Sequence, residues 1–99
     1  MYAIAFDLEQ DTLSKTYGNP SYTNAYNDIK KVLESYGFVR QQGSVYFGDP
    51  SKVDAVRCVL AVQDLAKQFP WFSASVEDIR MLRIEDNNDL KPAIDIILK

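Results

Sequence analysis

Asp7 closes an opening run, Met1-Tyr2-Ala3-Ile4-Ala5-Phe6-Asp7-Leu8, and Ser44 opens a second run, Ser44-Val45-Tyr46-Phe47-Gly48, just after the turn residues Gln42 and Gly43. A carboxylate can remove a proton or hold a divalent cation. A hydroxyl can orient a phosphate, and an arginine can grip one through two parallel hydrogen bonds. Arg40 lies just before the second run, and Arg80 opens a later apolar segment. Phosphodiester cleavage needs little more than a carboxylate, a hydroxyl and an arginine brought together, and a dimer would pair the lone carboxylate with its copy. Asp7 and Ser44 are therefore the candidate catalytic residues, and Arg80 or Arg40 would offset the charge of the phosphate. Each residue also has an ordinary structural alternative: Asp7 as a strand-end carboxylate paired to Arg80, Ser44 as a turn residue, Tyr46 as a packing residue.

Other chemistries are excluded by composition. The chain has no histidine, which removes a serine–histidine triad and a histidine-bound zinc. Its one cysteine, Cys58, cannot form an intramolecular disulfide and lies in an apolar helical run, where it reads as a small core residue. There is no P-loop and no dinucleotide fingerprint. The balance of 11 basic against 14 acidic residues gives a net charge of −3, so a sequence-independent coat on nucleic acid is not expected and any such contact must be local. The acids at 77, 78, 85, 86, 89 and 95 read as a solvated face. No leader-like or membrane-spanning stretch is evident, so the expected setting is the cytoplasm, with no membrane contact.

The elements that must position these residues follow from periodicity. Residues 1–8 alternate as a strand, with Tyr2, Ile4, Phe6 and Leu8 on one face and Ala3, Ala5 and Asp7 on the other. Residues 9–20 read as a polar loop ending in a helix entry, with Asn19 as cap and Pro20 at the first helical position. Tyr22, Tyr26, Ile29, Leu33 and Tyr36 recur at helical spacing, and Gly37 stops the helix. Strands at 38–41 and 44–48 follow. A second helix runs from a Ser51/Asp54 capping box to about Phe69 and is apolar nearly all round, which calls for cover on a second side. Pro70-Trp71-Phe72 breaks it, a strand follows at 79–85, and a short helix at 90–98, capped by Asp89, ends the chain.

This β-α-β-β-α-β order with a terminal helix specifies one α+β domain over residues 1–99. It is ferredoxin-like, with a four-stranded antiparallel sheet in the order 4-1-3-2 and a short C-terminal helix. That order brings the end of the first strand beside the starts of the third and fourth, hence Asp7 beside Ser44 and Arg80. If Phe6, Val45 and Phe47 face the helices, Asp7, Ser44 and Tyr46 share the opposite face. The small-residue face at Ala3 and Ala5, with the over-apolar second helix, implies a homodimer.

Met1 to Leu8, Gly37-Phe38 with Gln42-Gly43-Ser44-Val45-Tyr46, Ala25-Tyr26 with Asp28-Ile29, Trp71, and Ser75-Val76-Glu77-Asp78-Ile79-Arg80 with Arg83-Ile84-Glu85 resemble the virulence-associated protein D (VapD) family over nearly the whole chain. That family is similar in fold to the small CRISPR-associated subunit that scaffolds spacer integration. The resemblance implies a homodimeric endoribonuclease that cuts mRNA as the toxin of a toxin–antitoxin pair, with a small antitoxin protein as partner. Asp7 then matches the family's catalytic acid and Ser44 its strand-three serine. Their placement beside Asp7 and Ser44, and not the resemblance, makes Arg40, Gln42, Tyr46 and Arg80 the expected RNA contacts. Asp7 becomes a ligand for Mg2+ shared across the dimer, on the pattern of the scaffold relatives. The alternative is a non-catalytic dimeric scaffold for nucleic acid or protein.

Overall fold

The computed structural model describes residues 1–18 and 20–98; the expected cap at Asn19 lies outside them. β1 (Tyr2–Leu8) buries Ile4, Phe6 and Leu8 on one face, as its alternation requires. β2 (Phe38–Gln42), β3 (Val45–Gly48) and β4 (Val76–Arg83) complete an antiparallel sheet in the order β2-β3-β1-β4. This is the expected ferredoxin-like α+β arrangement. The helices cover one face of the sheet, around a core that includes Ile4, Phe6, Ile29, Leu33, Phe38, Leu65 and Phe72.

Residues 9–20 depart from the expected loop. They contain α1 (Gln10–Thr16), which buries only Leu13 and so shows no apolar stripe. The helix is instead fixed at its start by Glu9, whose carboxylate accepts from the backbone N–H of Asp11 at 3.2 Å and of Thr12 at 2.7 Å, and from the Thr12 hydroxyl. α2 (Asn24–Ser35) starts later than Pro20 and buries Ala25, Ile29, Val32 and Leu33. It is followed by Gly37 at φ 96°, a left-handed position suited to glycine.

α3 (Ala55–Gln68) is capped by Asp54, which accepts from the Arg57 N–H at 2.8 Å. Ser51, expected to share that cap, bonds Asp49 instead. Cys58, Ala61 and Leu65 are buried on the inner side of α3, and burial pushes the Cys58 thiol pKa up. Val56, Val59 and Leu60 remain half exposed or more on the outer side, so the chain itself does not supply the second cover. Pro70 ends α3 but also opens α4 (Pro70–Ser75), which buries Trp71 and Phe72 and packs on α1. β4 begins three residues earlier than expected.

α5 (Lys91–Ile97) begins where Asp89 accepts from the Lys91 N–H at 2.9 Å, and it buries none of its residues. Leu90 and Ile97 are 72% and 83% exposed. The radius of gyration of 15.6 Å exceeds the ~13 Å of a compact domain of this length, consistent with an arm that leaves the body. Among the described residues no helix is long and apolar enough to cross a membrane.

One expectation about β3 is reversed. Val45 and Phe47 do not face the helices; Tyr46 does, 2% exposed and stacked on Phe6 with ring centroids 6.2 Å apart. Register decides this. Tyr46 stands opposite Ile4, and Val45 opposite Ala5, and residues directly opposite share a face. Every residue of Val45-Tyr46-Phe47 is apolar or aromatic, so alternation alone could not choose between the faces.

Truncating Tyr46 to Ala should therefore cost about 3–5 kcal/mol in chemical denaturation, as for a buried aromatic, while Tyr46→Phe should cost little. Equal stability of the Ala variant and the parent would show that the ring is not in the core. The Glu9 cap carries a pH signature. Its pKa is held below the ordinary 4.5, chiefly by the Thr12 hydroxyl. The group binds its proton less readily folded than unfolded, so its contribution is full above about 4.5 and is lost as pH falls through the lowered value. Amide exchange protection in α1 should fall in that acid window, and Glu9→Gln should flatten the dependence.

Candidate active site

Four strand ends meet at one end of the sheet, and each departs there from regular pairing. Between Asp7 and Leu8 the β1–β4 register shifts, so that Asp7 stands opposite Asp78 while Leu8 stands opposite Val76, with Glu77 as the extra residue. Between Arg40 and Gln42 the β2–β3 register shifts in the same way. Bulges of this kind re-aim side chains and occur beside active sites. Gly43, at φ 48°, turns the chain from β2 into β3, and Arg40 Nε donates to the Gly43 carbonyl at 2.8 Å, holding the turn. The Phe6 N–H donates to the Ser44 carbonyl at 3.1 Å, which ties the turn to β1 one residue before Asp7.

The result is a shallow pocket of about 250 Å3 whose walls include Ala5, Asp7, Ser44, Asp78 and Arg80. Asp7 and Ser44 therefore share one site, as their strand positions imply. Ser44 is half-buried, and its hydroxyl has no hydrogen-bond partner among the described residues. Asp7 is exposed and is not paired with Arg80. That guanidinium is committed to Asp78, with Nε 3.1 Å from Oδ2 and a second contact at 3.3 Å to Oδ1. Asp78 is the residue that sequence reasoning placed on a solvated face. Its signal was present: residues 78 and 80 share a strand face, and antiparallel register sets that face against Ala5 and Asp7.

The other expected contacts divide between two further places. Arg40 and Tyr46 lie on the helix-facing side of the β2–β3 turn, in a cleft against α2 that Ser44 also lines. Gln42 borders a broader groove on the open face, with Val45, Phe47 and residues 87–90. Tyr46 therefore does not share the face of Asp7, for the register reason given above. Ser44 forms the boundary between the acidic pocket and the cleft that holds Arg40.

Two carboxylates opposed across adjacent strands, one guanidinium and a free hydroxyl can remove a proton, orient a phosphate and bind a cation. Among the described residues no cluster of three or more acid, histidine or cysteine ligands forms within one chain.

The chain falls within a defined protein class: the CRISPR associated protein Cas2 family model matches residues 1–91. Nearer relatives cover the chain almost end to end. An endoribonuclease VapD homolog from Helicobacter pylori is 54% identical over 98 residues, covering 99% of this chain and all of the relative. Endoribonuclease VapD 2 from Riemerella anatipestifer is 52% identical over 94 residues, covering 95% and 99%. Endoribonuclease VapD from Haemophilus influenzae is 44% identical over 89 residues, covering 90% and 92%. The chain belongs to the VapD family, within this Cas2-like group.

Like charges directly opposite on a sheet are destabilising, and Asp7 stands opposite Asp78. Asp7→Asn should therefore melt at a slightly higher temperature than the parent at low salt, with the gap closing at high salt. A variant that melts lower would show that Asp7 is held by a stabilising partner.

Proposed function

We propose that this chain is an endoribonuclease that cleaves mRNA as a homodimer in the cytoplasm, and that it is the toxin of a toxin–antitoxin pair restrained by a small antitoxin protein. The observation that carries the reading is Asp7 facing Asp78 beside the unpartnered Ser44 hydroxyl, in a chain that matches relatives named endoribonuclease along their full length. Asp7 takes the proton from the attacking oxygen as that oxygen bonds to phosphorus and the bond to the leaving oxygen breaks, the leaving oxygen taking its proton from solvent; base catalysis of this kind is typically worth 10²–10⁴-fold. Ser44 donates to a non-bridging oxygen of the scissile phosphate. Arg80, held by Asp78, faces the same pocket and offsets phosphate charge.

Asp7 and Asp78 fit a divalent cation such as Mg2+, since both offer carboxylate oxygens from adjacent strands, and a second copy would supply further ligands. Bound there, the cation would neutralise charge on the phosphate as a Lewis acid. The homodimer is supported by three apolar features that one chain leaves uncovered: the outer stripe of α3, the open-face residues Val39 and Leu82, and all of α5.

A second reading, a non-catalytic dimeric scaffold for nucleic acid or protein, draws on the Cas2 family match. Incubating parent and Asp7→Asn protein with total RNA, with and without magnesium, separates the two. The endoribonuclease reading expects cleavage by the parent and a loss of at least about 100-fold in the variant. No cleavage by the parent favours the scaffold, and equal cleavage by both points to a contaminant or to a site other than Asp7. Light scattering should give about twice the 11.3 kDa chain mass, and a monomer mass would contradict the dimer.

A further inference from the structure

The side of Ser44 away from Asp7 carries the opposite charge. There α2 and the β2–β3 turn enclose a cleft of about 270 Å3 whose walls include Tyr26, Asn27, Lys30, Arg40, Ser44 and Tyr46. Lys30 and Arg40 form no ion pair among the described residues, whereas Arg80 and Arg83 each pair with a carboxylate. Arg40 spends only its Nε on the Gly43 carbonyl, which leaves the two terminal nitrogens of its fork available. The Tyr26 hydroxyl accepts from Gln10 Nε2 at 2.6 Å, which anchors that aromatic wall.

Tyr46 supplies an independent pointer to a ligand. The residue is 2% exposed and its ring is stacked in the core, yet its hydroxyl has no hydrogen-bond partner among the described residues. No fully buried side-chain polar atom is left without a partner among those residues. The hydroxyl is thus the part of Tyr46 that reaches the cleft, where it is free to donate. Arg40 and Glu34 both act on it electrostatically, and burial is the larger influence, holding the hydroxyl in its neutral, donating form. Two cations, a phenol donor, an amide side chain and an aromatic wall are the groups that hold a single-stranded nucleic-acid backbone and its bases.

We propose that this Lys30–Arg40–Tyr46 cleft binds the phosphate backbone of single-stranded RNA next to the nucleotide presented to Asp7, with Ser44 as the shared rim between the two. The proposal rests on the endoribonuclease reading for the direction of the strand, but the cleft's affinity for RNA is separately measurable. It places strand binding on the helix-covered side of the sheet and bond cleavage on the open side. It also eases the charge problem of an acidic pocket in a chain of net charge −3, since the anionic strand is gripped where Lys30 and Arg40 outnumber the one carboxylate that acts on Tyr46, Glu34.

The test is fluorescence anisotropy with a short labelled 2′-O-methyl oligoribonucleotide across a salt series, with every protein in the Asp7→Asn background so that the probe survives. Lys30→Ala with Arg40→Ala should weaken binding at least ten-fold and lower the salt slope by roughly 0.7 for each cation removed. Lys30→Glu alone, at an exposed helical position where folding is not at risk, should weaken it at least as much as Lys30→Ala. Tyr46→Phe should weaken binding a few-fold without a change in melting temperature. Lys67→Ala, a cation on α3 outside the cleft, should leave it unchanged. Unchanged affinity and slope in both Lys30 variants, an equal loss in Lys67→Ala, or no binding by the parent would each overturn the proposal. Failure of the two readings is distinguishable. Protein that binds through Lys30 and Arg40 but does not cut RNA keeps the cleft and loses the endoribonuclease. Protein that cuts RNA equally well with Lys30→Glu keeps the endoribonuclease and loses the cleft.

Discussion

The placement of every functional group depends on the register of β1 between its two neighbours. Ala5 stands opposite Val45 on one side and Arg80 on the other, and Asp7 stands opposite Asp78 one pleat further on. Because side chains alternate with a period of two, a slip of one residue on either side would send Asp7 or its partners to the wrong face. The register is enforced by burial. Ile4, Phe6 and Leu8 must face the helices, and Tyr46 must meet Ile4 and Phe6 there. The core thus pays for the site, since the residues that fix the pleat are the apolar ones between the chemical ones.

Element order and the alternation of residues 2–8 were enough to give the ferredoxin-like order and to bring Asp7, Ser44 and Arg80 to one end of the sheet. What alternation could not give was the facing of β3, where Val45, Tyr46 and Phe47 are all suited to burial and only pairing with β1 decides. α1 was hidden for a different reason. Its sequence Gln-Asp-Thr-Leu-Ser-Lys-Thr has one buried apolar residue, and it is held by the Glu9 cap and by packing on α4, neither of which leaves a periodic trace. Asp78 was missed because its importance is a matter of pairing across strands far apart in sequence, not of local pattern. The two bulges, which sharpen the site, are equally non-local.

The division of charge about Ser44 is the organising feature of the site. Asp7 and Asp78 lie on the open side, and Lys30 and Arg40 on the helix side, with the turn serine touching both. On the proposed reading, a strand of RNA crossing that rim would be held on the side of Lys30 and Arg40 and cut on the side of Asp7 and Asp78. The exposed apolar residues of α3 and α5 do not line the Asp7 pocket, whereas open-face Leu82 does.

A kinetic double-mutant cycle tests most directly the proposed joint action of Asp7 and Asp78 on one phosphate. Cleavage rates of one RNA oligonucleotide would be measured for the parent, Asp7→Asn, Asp78→Asn and the double variant. Both single variants should be impaired and the double variant should be little worse than Asp7→Asn, a strongly non-additive result. Parent-like cleavage by Asp78→Asn, or losses that simply multiply, would contradict it.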